Sequence, residues 1–358
     1  MLRDGTRFQW VVWDTVFGSV VGLLAGAASA GFLWALERVI HLRVAHPWLL
    51  FLLPIFGVAS AFLYLRFGRE AEGGGALILD EVLEFKGRVP SRMAPLVLIG
   101  TLLTHLGGGS AGREGTAVQM GAALARTVGK LPWAFLGLNH TRQRLLLMAG
   151  VSAGFGSLFG TPMAGAIFGM EVVAIGKIHY EGLVICGVAS FVGDWACRAF
   201  GAQHAAYALT VPAFTWGLGL RMALFAIPVA LVAGSFSELS HRLAAWSRAR
   251  LHPLVRPLVG GAVLIALAFA FPQDGFLNLG LPWLQQIFSQ PGAVPSWAFL
   301  IKLLFTAITV GFGFKGGEVT PLFVIGALLG AACAGLLHVP VPVLAAVVAV
   351  DASVSHQH

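Results

Sequence analysis

The sequence predicts an all-α protein that crosses a membrane several times. Of its 358 residues, 57% are hydrophobic and 11% are charged, and the mean hydropathy of +0.83 is too high for a soluble domain of this length. The 46 glycines favour close packing of membrane helices. Two segments, at residues 112–116 and 316–320, share the pattern G-x-E-x-T and precede runs of small, apolar residues. This repetition indicates two related halves.

Apolar runs in the first half predict its membrane helices. We expect these helices over residues 10–36, 47–65, 93–106, 114–128, 145–173 and 183–200. A glycine-rich turn at 72–76 precedes an amphipathic segment, and a loop is expected over 139–144. The longest run is interrupted at Gly160-Thr161-Pro162. Such a break is typical of two half-helices that meet inside a protein, because lipid does not tolerate freed backbone groups.

The second half follows a loop around Gln203 and His204, which divides the chain into residues 1–205 and 206–358. Its expected helices cover residues 216–236, 258–271 and 300–314. The arginine- and histidine-rich segment 238–256 is predicted to be a solvated helix and loop. By the positive-inside tendency it faces the cytoplasm, together with Arg3 and Arg7. Many apolar runs are shorter than the ~20 residues of a full span, so tilted, broken or re-entrant helices are expected.

The two G-x-E-x-T segments are the candidate site. Glycines allow backbone N–H groups to approach a ligand, and a helix start combines free N–H groups with a positive dipole end, which suits a small anion. The carboxylate of Glu114 would occupy the place of an anion and leave it on protonation. The alternative is a turn with a satisfied carboxylate near a membrane surface. The matched Glu318 favours the anion site, because carboxylates inside membranes are costly and usually functional.

Other functional classes receive little support. The formal charge of +7 is spread over loops without a basic stripe among aromatic residues, so we expect topology-setting and lipid-facing charge and no nucleic acid. No nucleotide loop, catalytic triad or soluble regulatory domain is recognisable, so an enzyme is not expected. His105 is expected to be a satisfied core histidine, with assistance to proton movement as the alternative.

No cofactor or metal is expected either. The spacing of the three cysteines does not suit metal ligation, and three neighbouring acids are better explained as a polar helix face in water. These residues are Cys186, Cys197, Cys333, Asp80, Glu81 and Glu84.

The motifs together resemble a known family. GREGT at residues 112–116, GGEVTP at 316–321 and the broken-helix segment AGVSAGFGSLFGTPMAGAIFGMEV resemble the CLC family of chloride channels and anion/proton antiporters, over about residues 15–335. The resemblance implies a CLC-like inverted-repeat architecture with broken and re-entrant helices. It also implies a multi-pass protein of the inner cell membrane, transport of fluoride or chloride with protons, and a homodimer in the lipid bilayer.

Departures from the chloride pattern point to one branch of that family. Thr116 stands where chloride transporters usually have proline, and Glu318, Val319 and Thr320 stand where they usually have G-x-F-x-P. Glu171 is followed by Val172, so the second acid of the chloride antiporters is absent. These features are similar to the bacterial fluoride/proton antiporters. The alternatives are a chloride channel, a chloride/proton antiporter, or an inactive truncated remnant.

The resemblance also implies roles for single residues. Glu114 would be the gating and proton-carrying glutamate, and Glu318 a second carboxylate on the ion path. The first anion-binding loop would lie at residues 74–76, where the serine of the chloride branch is missing. The anion path would be lined by Gly74, Gly75, Ala76, Gly112, Arg113, Gly115, Thr116, Gly317, Val319 and Thr320.

The second half is shorter than the resemblance implies. The sequence after Glu318 is too short for a second broken helix pair, and its polar ending does not complete the repeat. A tyrosine expected near the end is also missing, since the three tyrosines are Tyr64, Tyr180 and Tyr207. We therefore expect a chain that is truncated at its carboxyl end with impaired transport, and a shortened functional variant is the alternative.

Overall fold

The computed structural model describes residues 4–84, 89–130, 139–171, 178–204, 212–213, 215–290 and 292–349. Arg3, Val172, Tyr207 and the sequence after residue 349 lie outside the described residues, as do residues 87–88 of the loop before the third predicted membrane helix and the side chains of Arg7 and Glu84. The α-helices of the described part are α1 Asp4–Ala45, α2 Leu53–Phe67, α3 Gly74–Glu84, α4 Met93–Leu106, α5 Glu114–Gly129, α6 His140–Phe159, α7 Pro162–Glu171, α8 Leu183–Ala199, α9 Trp216–Arg250, α10 Arg256–Ala270, α11 Leu281–Ser289, α12 Ala298–Gly311, α13 Val319–Leu337 and α14 Val341–Ala349.

The all-α membrane prediction is confirmed. Five segments of the described residues are helices long and apolar enough to cross a membrane, and α4, α10 and α12 are shorter apolar helices. The five segments are Gln9–Ala45, Pro47–Phe67, Tyr180–Ala199, Trp216–Arg250 and Val319–Leu337. This mixture of long and short helices agrees with the run lengths in the sequence, because each apolar run forms its own backbone hydrogen bonds as a helix.

Two predicted boundaries are wrong, both at polar residues. The first helix continues past Glu37 to Ala45, and the Nε2 of His41 lies 3.8 Å from Oε1 of Glu37 one turn earlier. The loop predicted at 139–144 is the start of α6, where the Asn139 side chain accepts a hydrogen bond from the Arg142 backbone N–H at 3.0 Å and caps the helix. The segment 238–256, predicted as a helix and loop, is helical to Arg250 as a continuation of α9 and leaves the helix before α10 begins at Arg256.

The predicted break between two half-helices is present. The α6 helix ends at Phe159, Gly160 has the left-handed φ of 69°, and α7 begins at Pro162. The side chain of His204 lies 3.0 Å from the carbonyl oxygen of Ser157, and Arg198 donates to the carbonyl oxygen of Gly160 at 3.2 Å. Protein side chains therefore satisfy backbone groups that the break frees inside the membrane.

Close helix contacts form the core of the first half. At Gly121 of α5, an added Cβ would overlap the backbone carbonyl of Gly150 on α6. At Gly22 of α1, it would lie 2.6 Å from the carbonyl oxygen of Ala189 on α8. These small residues allow the helix backbones to approach each other, as the glycine content predicts.

The two halves meet at their glycine motifs. Gly112 and Gly317 form an antiparallel bridge in which the Gly112 N–H donates to the Gly317 carbonyl at 2.6 Å and the Gly317 N–H donates back at 2.8 Å. Nearby, the Ser110 backbone N–H donates to the Thr309 hydroxyl of α12 at 3.1 Å. These bonds hold the starts of α5 and α13 next to each other. The division at residue 205 stays a prediction.

Candidate functional site

The carboxylate of Glu114 lies at the amino-terminal end of α13, which belongs to the other half of the chain. Its Oε1 accepts a hydrogen bond from the backbone N–H of Val319 at 2.6 Å. Its Oε2 accepts from the Thr320 hydroxyl at 2.9 Å and from the Thr320 N–H at 3.3 Å. The N–H of Arg113 donates to Oε2 at 2.9 Å. The carboxylate thus occupies the helix-start position that attracts anions.

Two glycines make room for this carboxylate. A Cβ at Gly112 would lie 2.5 Å from Oε2 and 2.6 Å from Oε1 of Glu114, and a Cβ at Gly317 would overlap Oε1. Because real Cβ atoms do not approach other atoms below 3.0 Å, any side chain at either position would displace the carboxylate or the backbone. Glycine at both positions therefore lets the carboxylate reach the start of α13.

The site is removed from water. Glu114, Arg113 and Thr320 have exposed fractions of 4%, 3% and 2%. The positive guanidinium of Arg113 attracts the Glu114 charge. In such a low-dielectric interior the hydrogen bonds and the dipole of α13 act more strongly on a charge than they would in water. An ionised carboxylate, or an anion of similar size, is therefore stabilised at this place.

Glu318, the glutamate of the second motif, has a different position from Glu114 in the first. It precedes α13 directly and its side chain is exposed to a cavity of about 520 Å³, lined among others by Ser237, His241 and Arg248 of α9. Partial burial raises the pKa of the Glu318 carboxyl, the Glu114 carboxylate raises it further, and His241 lowers it. Glu318 thus lies at the cavity beside the site, whereas the N–H groups at the start of α13 donate to Glu114.

Thr116 is placed differently from the prediction. Its hydroxyl lies 2.6 Å from the hydroxyl of Thr101 on α4, and both side chains are fully buried. Within the first turn of α5, this hydroxyl faces α4 instead of the start of α13. Gly115, by contrast, lies against the second motif, since its Cβ would be 3.3 Å from the Cα of Gly317.

The loop at residues 74–76 lies on a second cavity. Gly74, with a left-handed φ of 55°, begins α3, and Gly75 and Ala76 form its first turn. Gly74 and Gly75 line a cavity of about 310 Å³ together with Gln119 and Lys315. Gln119 connects the two regions, because its side chain lies beside both Gly74 and Gly115. Sequence reasoning missed Gln119, although a polar residue inside a small-residue membrane helix was the available signal.

A buried polar cluster lies behind the first motif. The Lys302 ammonium of α12 donates to the carbonyl oxygens of Phe276 and Asn278 at 3.1 and 3.0 Å and is fully buried. The Nδ1 of His105 lies 3.3 Å from the side-chain oxygen of Asn278. The Nε2 of His105 is buried without a hydrogen-bond partner among the described residues, so the expectation of a satisfied core histidine holds for one of its two ring nitrogens only. Sequence reasoning missed Lys302. No group of metal-ligating side chains occurs within the described ranges.

The chain is similar to several known proteins. It matches the family described as "Voltage gated chloride channel" over residues 56–356. A chloride/fluoride channel protein of Pseudomonas syringae pv. tomato is 43% identical over 344 residues, which cover 94% of this chain and 74% of the relative. An H(+)/Cl(-) exchange transporter of Cronobacter sakazakii is 27% identical over 355 residues, 92% of this chain and 73% of the relative.

Solved structures show the same fold. A crystal structure of a CLC-type fluoride/proton antiporter superposes with a TM-score of 0.89 at 32% identity, covering 94% of this chain and 85% of the other. A slow cyanobacterial Cl-/H+ antiporter gives a TM-score of 0.75 at 22% identity, covering 95% and 84%. At that lower identity the likeness concerns the fold alone.

Proposed function

The chain belongs to the voltage-gated chloride channel (CLC) family, and we propose that it exports fluoride in exchange for protons. The 43% identical relative named as a chloride/fluoride channel and the 32% identical fluoride/proton antiporter structure support fluoride as the substrate. We further propose a homodimer in the inner membrane, built from the inverted halves 1–205 and 206–358.

The observation behind this proposal is the Glu114 carboxylate at the start of α13. The Glu114 carboxylate accepts hydrogen bonds from the N–H groups of Val319 and Thr320 and from the Thr320 hydroxyl. While it occupies these donors, it excludes an anion. Protonation removes the charge that these donors attract. The neutral side chain then leaves, and a fluoride ion replaces it at the same donors. Because one proton on Glu114 admits one anion, the two fluxes are coupled.

The donor set suits fluoride. A small, strongly hydrated anion enters only where close donors replace its water, and two N–H groups and one hydroxyl converge at this point. Gly112 and Gly317 leave space for a small ion at the same point. Glu318, as the second carboxylate, would exchange the proton with the cavity beside α9. Thr116 has no part in this donor set.

The second candidate is chloride transport by the same site. It is favoured by the relatives that are named as chloride exchange transporters. The missing serine at residues 74–76 and the presence of Glu318 argue for fluoride.

The proposal is tested with the full chain in liposomes. Fluoride efflux is recorded with a fluoride electrode, external pH is recorded in parallel, and chloride is the comparison ion. We expect fluoride efflux with proton uptake in the opposite direction. Glu114→Gln should abolish the proton uptake, because the glutamine amide cannot bind and release a proton as the carboxylate does. The proposal is refuted if the wild-type chain releases chloride but not fluoride, or if the variant moves protons like the wild type.

A further inference from the structure

A cavity of about 350 Å³, which we call the outer pocket, lies beside the last turns of α1 and reaches the Glu114 site. Its buried end is Arg113, which is 3% exposed and whose backbone N–H donates to Oε2 of Glu114 at 2.9 Å. The cavity has room for several water molecules. Its apolar wall includes Leu33, Leu36, Ile40, Leu279, Leu281 and Pro282.

The outer pocket opens on the side of the membrane opposite the cytoplasm. By the positive-inside tendency, the Arg7 end of α1 faces the cytoplasm. Glu37 follows Arg7 on the same continuous helix after 30 residues, a rise of about 45 Å at 1.5 Å per residue. This exceeds the ~30 Å thickness of the hydrocarbon core. Protons that are imported by the proposed transport therefore arrive on the side where Glu37 and His41 line the pocket.

Glu37 and His41 form a pair at the open end of the pocket. The Nε2 of His41 lies 3.8 Å from Oε1 of Glu37, a distance that a small rotation of either side chain closes to a hydrogen bond. The His41 side chain is 74% exposed and the Glu37 side chain 32%. Imidazole gains and loses a proton near neutral pH, and a carboxylate accepts one. The pair thus leads from bulk water towards the interior.

The other charges around this pair are compensated or lie at the buried end of the pocket. On α1 itself, Arg38 lies 5.3 Å from the centre of a tryptophan ring, and Arg43 pairs with Asp274 at 2.6 Å. The positive charge of Arg113 faces the pocket from outside α1 and disfavours an excess proton there. The carboxylate of Glu37 opposes this repulsion and raises the local concentration of protons.

We propose that Glu37, assisted by His41, is the outer proton acceptor that supplies Glu114. This inference rests on the proposed antiport and adds an entry residue to it. A proton leaves a hydronium ion outside and binds to the imidazole of His41 or to the carboxylate of Glu37. The Glu37 carboxyl then releases it to a water molecule of the pocket, and it ends on a carboxylate oxygen of Glu114. Only the proton moves, and each carrier returns to its starting charge.

The experiment uses right-side-out membrane vesicles of cells that express the full chain, loaded with sodium fluoride. The initial rate of fluoride efflux is measured against the external proton concentration. Glu37→Gln should raise the proton concentration for half-maximal efflux roughly tenfold, the lower end of the effect of a focused charge. The maximal rate and the ratio of protons to fluoride should stay within about twofold of the wild type.

Three further variants show where the effect originates. Glu37→Asp should restore most of the proton dependence, because it keeps the carboxylate. His41→Gln should shift the half-maximal proton concentration in the same direction as Glu37→Gln, but less. The matched control is Glu70→Gln, since Glu70 is an exposed acid that pairs with Arg92 beyond the far end of α2, and its removal should leave the proton dependence unchanged.

The outcomes separate proton supply from other roles. An unchanged proton dependence in Glu37→Gln overturns the inference, and so does a lower maximal rate without a shift. A variant that differs only by stronger inhibition from external fluoride would show that Glu37 repels anions instead. If Glu37→Gln does not fold, an unchanged proton dependence in His41→Gln overturns the inference. A wild type that releases anions without taking up protons refutes the antiport itself.

Discussion

Replacement of Gly317 by alanine tests whether the start of α13 is the shared site of carboxylate and anion. The new Cβ would overlap Oε1 of Glu114 and lie 2.9 Å from the backbone nitrogen of Gly115. The carboxylate is the mobile partner in this clash, because the backbone of Gly317 is fixed by its bridge to Gly112. We therefore expect Glu114 to be expelled from the start of α13.

The cost of expulsion follows from the lost hydrogen bonds. Glu114 would lose the N–H groups of Val319 and Thr320 and the Thr320 hydroxyl. Each bond to a charged group contributes about 1.5 kcal/mol at the low end, so the three together contribute about 4.5 kcal/mol. Since about 1.4 kcal/mol corresponds to a factor of ten, occupancy of the site should fall by about three orders of magnitude.

The assay is fluoride efflux with parallel proton uptake in liposomes. Gly317→Ala should lose both fluxes, because the methyl group blocks carboxylate and fluoride alike. The matched control is Gly335→Ala near the end of α13, where nothing lies within 4 Å of the new Cβ. Coupled transport by Gly317→Ala at the wild-type rate and stoichiometry would show that the carboxylate and the anion do not share this site.

Two further predictions concern side chains around the site. Thr320→Val should raise the KM for fluoride about tenfold, because a hydrogen-bond donor in a buried site is lost. Thr116→Val should leave that KM unchanged and lower the melting temperature, because the hydrogen bond to Thr101 is lost. Equal effects of these two variants on the KM would contradict the geometry. Lys302→Met should destabilise the protein by about 3 kcal/mol, because buried carbonyl oxygens of the 276–278 segment lose their donor. Tryptophan fluorescence during thermal unfolding in detergent measures this, and an unchanged melting temperature would argue against that role.

The positions of the helices were largely predictable. Met93–Leu106 and Leu183–Ala199 agree with the apolar runs, and Gly160 and Pro162 mark the break between α6 and α7. In a membrane each segment satisfies its own backbone hydrogen bonds, so a local run of apolar residues suffices to specify a helix. The predicted helix ends were wrong at residues 37–45 and 139–144, because the polar side chains there are compatible with a helix: Glu37 and His41 lie one turn apart, and Asn139 caps α6.

The candidate site was predictable in its residues but not in its contacts. The repeated G-x-E-x-T pattern identified Glu114, Glu318 and the glycines, because a carboxylate among glycines in an apolar chain has few structural explanations. The pattern did not reveal that Thr116 is bonded to Thr101.

The sequence by itself determined a polytopic α-helical chain with two matched carboxylate motifs, since hydropathy and helix formation depend on neighbours along the chain. Only the tertiary structure decided that Glu114, at the first residue of α5, binds the start of α13 and that Glu318 faces a separate cavity. The physical reason is that every helix start offers similar N–H groups and a similar dipole. Which helix start receives the carboxylate depends on the bridge between Gly112 and Gly317, which joins residues far apart in the chain.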